Sequence, residues 1–302
     1  MLSHGWCSLL PCEYDQETWT LRRVFDLGDR LPISASISAS ESKIVVNIPR
    51  SKLGNRASQK IIREVRHMFR LDDDMSGFYK VMSADPNLAW IARVGAGRML
   101  RSPTVFEDLV KTICTTNCSW ALTVKMVAGL TNNLGVQAND GRRAFPSPEA
   151  MAQAPASFYR DEMRAGYRAP YFKELADRVA SGALEVECWL DSELTTEELK
   201  REMKSVKGVG DYAAENLLKL VGRYDVLALD SWLRSRFARK HNKGRACPDK
   251  KIARHYARFN SWRGLALWCD MTKDWIEEKG EGRKDKEKGE RRRAKVRTIS
   301  AV

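Results

Sequence analysis

One acidic residue stands where chemistry could be done. Asp230 closes the apolar stretch Tyr224-Asp225-Val226-Leu227-Ala228-Leu229, twenty residues after the second glycine of Gly208-Val209-Gly210. A carboxylate so placed can stabilise positive charge developing on a ligand, or take a proton from an attacking water. It can also simply cap a helix over residues 231–240 by accepting a backbone N–H. The glycine pair permits a tight hairpin and lets backbone approach a ligand closely. A helix leaving it presents free N–H groups and the positive end of its dipole, which suits a phosphate. Lys204 and Lys207 flank the turn. As a bare pattern, two glycines between helices serve equally as an ordinary helix–helix connection.

The elements that must position these residues are legible upstream and downstream. Thr195 with Glu198 forms a capping box that starts a helix running into the hairpin. The helix after the hairpin carries Ala213, Ala214, Leu217, Leu218 and Val221 on one face. From about residue 96 the pattern is helical throughout. Pro103 and the Thr104/Glu107 spacing mark a start, with Pro at or near the first helical position and a second capping box. That helix runs through Phe106, Leu109, Val110 and Ile113, and the next through Leu122, Met126, Val127 and Leu130 to Gly135. Phe145-Pro146-Ser147-Pro148 is a turn before another start. The first 95 residues are mixed. Residues 18–25 and 43–49 read as strands. Residues 57–71 form an amphipathic helix with Ile61, Ile62, Val65, Met68 and Phe69 on its apolar side. Asp72, Asp73 and Asp74 offer caps for a helix over 75–82.

Composition bounds the class. The chain has 302 residues, 43% hydrophobic and 30% charged, enough apolar material for a core and for about two domains. Lys and Arg number 52 against 39 Asp and Glu, a net charge of +13 that favours a polyanionic partner. No apolar run reaches the roughly 20 residues of a membrane helix, and the N-terminus lacks the basic region of a signal peptide, so a cytoplasmic protein is expected. The cysteines (7, 12, 114, 118, 188, 247, 269) form no CxxC pair, and the four histidines form no HExxH motif. Neither an iron–sulfur cluster nor metal-dependent hydrolysis is expected. Beyond residue 279 a segment with ten basic and four acidic residues reads as a disordered tail that touches phosphates weakly.

Hairpin, apolar loop and aspartate in this order resemble the signature of the helix-hairpin-helix (HhH-GPD) DNA glycosylases. Two further segments resemble the 8-oxoguanine branch: Cys114-Thr115-Thr116-Asn117, and Gly166-Tyr167-Arg168-Ala169-Pro170-Tyr171. The order of a β-containing part before a helical one also matches the 3-methyladenine glycosylase II branch. The resemblance implies an α+β fold: a TBP-like domain over 1–95, an HhH-GPD domain over 96–278 and a basic tail over 279–302. It makes Asp230 the catalytic carboxylate, near the deoxyribose of a flipped nucleotide. Tyr212, Asn216 and Trp268 become base-pocket residues. Asn117 fills the gap left by the flipped base, Tyr167 wedges beside the estranged base and Arg168 hydrogen-bonds it. Lys207, Gly208, Val209, Gly210 and Trp232 join the DNA contacts. The carbonyls of Lys204, Val206 and Val209 match positions that can hold a structural monovalent cation. Each residue also has an ordinary reading, as a cap for Asn117, as core for Tyr167 and Trp268, and as a surface charge for Arg168.

One departure bears on mechanism. Family members that also cut the strand place a lysine two residues after the second hairpin glycine, where its amine forms a Schiff base. Here Tyr212 stands there. The expectation is a monofunctional, monomeric DNA glycosylase of base excision repair. It acts on double-stranded DNA with an alkylated or oxidised purine, through a water activated by Asp230. A non-catalytic DNA-damage-binding protein and a lyase with a relocated nucleophile are the alternatives.

Overall fold

The structure is a computed structural model that describes residues 3–28, 30–40, 43–48 and 53–275. The basic segment 279–302 lies outside the described residues. The chain packs as two compact units, each assembled from separated segments. One joins Met1–Gly77 with Arg98–Ala228; the other joins Phe78–Gly97 with the chain from Leu229 onward.

The first unit opens with a four-stranded antiparallel meander: β1 (Cys12–Asp15), β2 (Thr20–Phe25), β3 (Ile33–Ser40) and β4 (Lys43–Asn47). The expected strands correspond to β2 and β4; β1 and β3 were not foreseen. β3 reads Ile-Ser-Ala-Ser-Ile-Ser-Ala-Ser, with Ala35 and Ile37 buried. Its partner β2 turns Leu21, Arg23 and Phe25 inward, with Leu21 opposite Ile37 and Arg23 opposite Ala35. Side chains alternate across a strand, so these residues share one face. α1 (Asn55–Met68) adds Ile61, Val65 and Met68 to the same core. Ile62, expected on that side, is exposed, and Phe69 is partly buried.

α4 (Val105–Thr115) is the central helix, buried from Val105 to Cys114. Thr104 caps it by accepting the Glu107 N–H. Pro103 therefore lies before the cap, not at the first helical position. The expected reciprocal half of the capping box does not form. The Glu107 carboxylate turns inward to Arg23 of β2 (2.5 and 3.0 Å) and to Lys111 (2.6 Å), because a buried charge needs charged partners more than an exposed cap needs a second bond. Burial would raise its pKa, but Arg23 and Lys111 hold it down at about 2. Its neighbour Asp108 accepts from Trp6 Nε1 (2.6 Å) and the Ser102 N–H (2.9 Å), and burial pushes it up to about 6.

α5 (Trp120–Leu134) and α10 (Asp211–Leu220) pack on α4, α9 (Thr196–Lys204) packs on α10, and α6 (Pro148–Gln153) and α7 (Ala156–Asp161) pack on α8 (Ala169–Ala180), all contributing to one core. Ser147 caps α6, and the full Thr195/Glu198 box caps α9. The second unit holds α2 from Phe78 on (Ser76–Ser83), α3 (Ala89–Val94), α11 (Ser231–His241), α12 (Asp249–Tyr256) and α13 (Arg263–Met271). Asp74 accepts the Ser76 N–H ahead of α2, as expected of an aspartate there. Phe78, Ile91, Leu233, Phe237, Ile252 and Leu265 are buried within that unit.

Candidate active site and nucleic-acid interface

In the first unit α9 ends at Lys204, four residues short of Gly208, and the intervening turn is closed by the Val209 N–H donating to the Val206 carbonyl (3.0 Å). Gly208 is obligatory here. Its φ is +90°, and a Cβ would sit 2.9 Å from Tyr171 Cδ2. Gly210 differs: its φ is −88° and a Cβ would meet nothing within 4 Å. The fold does not demand glycine at that position; an approaching ligand backbone would. Gly210 is the N-cap of α10 and supplies no side-chain cap, so the first N–H groups of this ten-residue helix keep no capping side chain.

The hairpin lysines are neutralised locally. Lys207 pairs with Glu174 (2.6 Å), and Lys204 with Asp211 (3.0 Å). Lys200, one turn earlier, bridges Glu215 (2.6 Å) and Asp211 (3.3 Å). Lys219, on α10, is fully buried. The cation expected at the hairpin would compete for the Val206 carbonyl, which already accepts one bond. On α10, Tyr212 is half-buried and its carbonyl accepts from Asn216 Nδ2 (2.8 Å), one turn on.

Two segments fifty residues apart in sequence meet on the surface of the same unit. Asn117 has φ +45°, a left-handed conformation that asparagine tolerates, and its Nδ2 donates to Tyr167 Oη (3.3 Å). Tyr167 is 56% exposed. Arg168 is buried rather than a surface charge: it donates to Thr116 Oγ1 (3.0 Å) and to the Thr116 carbonyl, and lies 4.4 Å from the Tyr167 ring centre. It thus underpins both the Thr116–Asn117 turn and the tyrosine.

The second unit carries the other named residues. Asp230 caps α11, its Oδ1 accepting the Leu233 N–H at 2.6 Å. Among the described residues Oδ2 has no hydrogen-bond partner, so capping occupies only one of the two oxygens. Trp232 and Trp268, both half-buried, have ring centres 6.0 Å apart, and Trp275 joins them at 5.4 and 6.1 Å. The guanidinium of Arg236 lies 5.4 Å over the Trp232 ring. His241, His255 and Asp270 bring potential metal-ligand atoms within 4.8 Å of one another. The donor set fits poorly. Asp270 is already bound by Lys240 (2.8 Å), Tyr256 (2.5 Å) and His241 (2.7 Å), and a lysine ammonium in that shell repels a second cation.

Four residues that the sequence reading missed lie among these elements. Arg70, fully buried, donates to the carbonyls of Lys219 and Leu220 and so caps the C-terminus of α10; it also binds the Met99 carbonyl and Asp73. Lys200 and Glu215 join α9 to α10. Their only sequence signal is charge on otherwise apolar helix faces, which points to no partner. Trp275 is a third aromatic beyond the two anticipated.

No family model matches the chain. Over 213 residues it is 22% identical to a DNA-3-methyladenine glycosylase of Bacillus subtilis (strain 168), covering 68% of this chain and 70% of that protein. The 3-methyladenine DNA glycosylase from Archaeoglobus fulgidus superposes with a TM-score of 0.68 at 22% identity, over 88% of this chain and 90% of that one. The Clostridium acetobutylicum 8-oxoguanine glycosylase/lyase, solved with double-stranded DNA containing cytosine opposite 8-oxoguanine, gives 0.66 at 19% identity over 87% of each. The chain resembles the helix-hairpin-helix DNA glycosylases and shares their α+β fold.

Proposed function

We propose that this chain is a DNA glycosylase that hydrolyses the N-glycosidic bond of a flipped, damaged purine and leaves an abasic site uncut. A reacting base must leave the stack, at a cost of a few kcal/mol that is lowest for damaged or mispaired bases. The bond from the base nitrogen to the sugar breaks with its electron pair on the base. A water oxygen bonds to the sugar carbon, and one of its protons passes by way of Asp230 to the departing base or, where that base already carries a positive charge, to solvent. The free oxygen of Asp230 is the group this reading uses, against the positive charge that develops on the sugar. Gly210 and the uncapped start of α10 suit a backbone phosphate. Tyr167 and Asn117 suit the gap in the duplex. Trp268, with Trp232 and Trp275 beside it, offers flat π faces to a planar base.

The observation that carries the monofunctional reading is the state of the amines around Tyr212. Lys200, Lys204 and Lys207 are each held by a carboxylate, and Lys219 is fully buried. A Schiff base needs a neutral, mobile amine. The test is base release from duplexes that each carry one modified base (3-methyladenine, 7-methylguanine, 1,N6-ethenoadenine, 8-oxoguanine, hypoxanthine, uracil), read with and without hot alkali. Breaks only after alkali are expected, with one lesion or lesion class preferred. Breaks without alkali, or a borohydride-trapped adduct, would establish a lyase. Binding without release from any duplex would establish a DNA-damage-binding protein.

A further inference from the structure

We infer that Glu215 is the positioning residue of this reaction, holding the loop from which Asp230 follows; the inference rests on the catalytic reading of Asp230. Glu215 lies on α10, one turn after Asp211 and Tyr212. Its Oε2 accepts the backbone N–H of Ala228 at 2.8 Å, and its Oε1 accepts Lys200 Nζ at 2.6 Å. Ala228 is 1% exposed and has φ +50°, the left-handed region that a non-glycine residue occupies only when its surroundings hold it there. Its N–H belongs to no helix or strand, so without Glu215 a buried donor would lose its partner.

Side-chain hydrogen bonds tether the loop between α10 and α11 within the first unit. Arg223 donates to the Ser192 carbonyl, Thr196 Oγ1 donates to Asp225 (2.9 Å), and Glu215 accepts from Ala228. Of these the Glu215 tether acts nearest to Asp230, two residues before it. The following side is fixed separately, since Asp230 itself caps α11. A carboxylate held along the chain from both sides keeps its free oxygen in place; one held from a single side swings with the loop. The reaction needs that placement to within about half an ångström. Lys200 keeps the tether in its own place by holding the other oxygen of Glu215 from α9.

The geometry distinguishes length from charge. Glu215→Gln keeps an oxygen that can accept the Ala228 N–H and gives up only the bond from Lys200, which retains Asp211 at 3.3 Å. Glu215→Asp keeps the charge and withdraws it by one methylene, out of reach of Ala228. Single-turnover base release at saturating protein is measured on the best-cleaved duplex of the panel. Affinity for a duplex with a tetrahydrofuran abasic analogue and the Tm are measured alongside. Glu215→Ala and Glu215→Asp are expected to slow release roughly 30- to 100-fold with affinity changed less than about twofold, whereas Glu215→Gln stays within about threefold of the parent. The inference is overturned if Glu215→Asp, folded by its Tm, releases base at the parent rate, or if the rate falls only in step with affinity and Tm and Gln does not restore it. Asp230→Asn in the same assay separates the two claims: full activity there removes the catalytic reading itself, whereas loss there with normal Glu215 variants removes only the positioning role.

Discussion

Asp230→Asn isolates charge from structure. The Oδ1 of Asp230 accepts the Leu233 N–H at 2.6 Å as the cap of α11. Asparagine caps a helix about as well as aspartate, so the fold should lose no more than ~0.5 kcal/mol. What disappears is a full negative charge. At about 4 Å from the sugar carbon and an effective dielectric of about 20, that charge is worth about 4 kcal/mol to a cationic transition state. The corresponding rate loss is about 1000-fold. The assay is single-turnover base release under saturating protein, with strand breaks developed in alkali and a parallel thermal melt. Asp230→Ala serves as the contrast: it should lose the same catalysis and in addition about 1 kcal/mol of stability, because the cap goes too. A rate loss under tenfold for Asp230→Asn, with Tm unchanged, would refute the catalytic assignment and leave Asp230 as a cap alone.

Two further perturbations probe different links of the chain. Burial raises Asp108 from its ordinary 3.8 to about 6. The folded state therefore binds this proton more tightly than the unfolded chain, and stability is lost as pH rises from about 4 to 6. Asp108→Asn keeps an acceptor for Trp6 and Ser102. It should match the parent below pH 4 and exceed it at pH 7 by up to about 3 kcal/mol, read by denaturant melts at each pH; parallel curves would show that Asp108 is not the titrating group. Tyr167, 56% exposed, carries little of the fold. Tyr167→Ala should leave the unfolding free energy within the ~0.5 kcal/mol usual for a surface site and weaken binding of the abasic-analogue duplex about tenfold, as loss of one aromatic stack does. Unchanged affinity would remove it from the DNA interface.

The local rules were readable because their partners lie three or four residues away. Thr195 caps where the sequence places it, the helix expected after the turn at 145–148 begins there, α1 buries Ile61, Val65 and Met68 on one stripe, and the glycine pair sits between two helices. Asp230 was readable both as the end of an apolar loop and as the cap of α11, and the structure places it as that cap. Failures came where partners are remote. Glu107 was read as the reciprocal half of a capping box, yet its carboxylate goes to Arg23, eighty-four residues away. β3 alternates as a strand should, but half of its inward residues are alanine and its outward ones serine, which have little β propensity, and pairing with β2 and β4 is what makes it a strand.

By itself, then, the sequence determined the positions of helix starts, the glycine hairpin, the carboxylate after the apolar loop and the tyrosine two residues after the second glycine. The tertiary structure alone decided which charges are spent on one another. It set the Lys200–Glu215–Ala228 tether, Arg70 on the end of α10, and the meeting of Asn117 with Tyr167 across fifty residues. The physical reason is range. Caps and amphipathic stripes follow from backbone periodicity within a turn or two, whereas a buried charge takes whichever partner the folded chain brings within about 3 Å, and no spacing in the sequence encodes that distance.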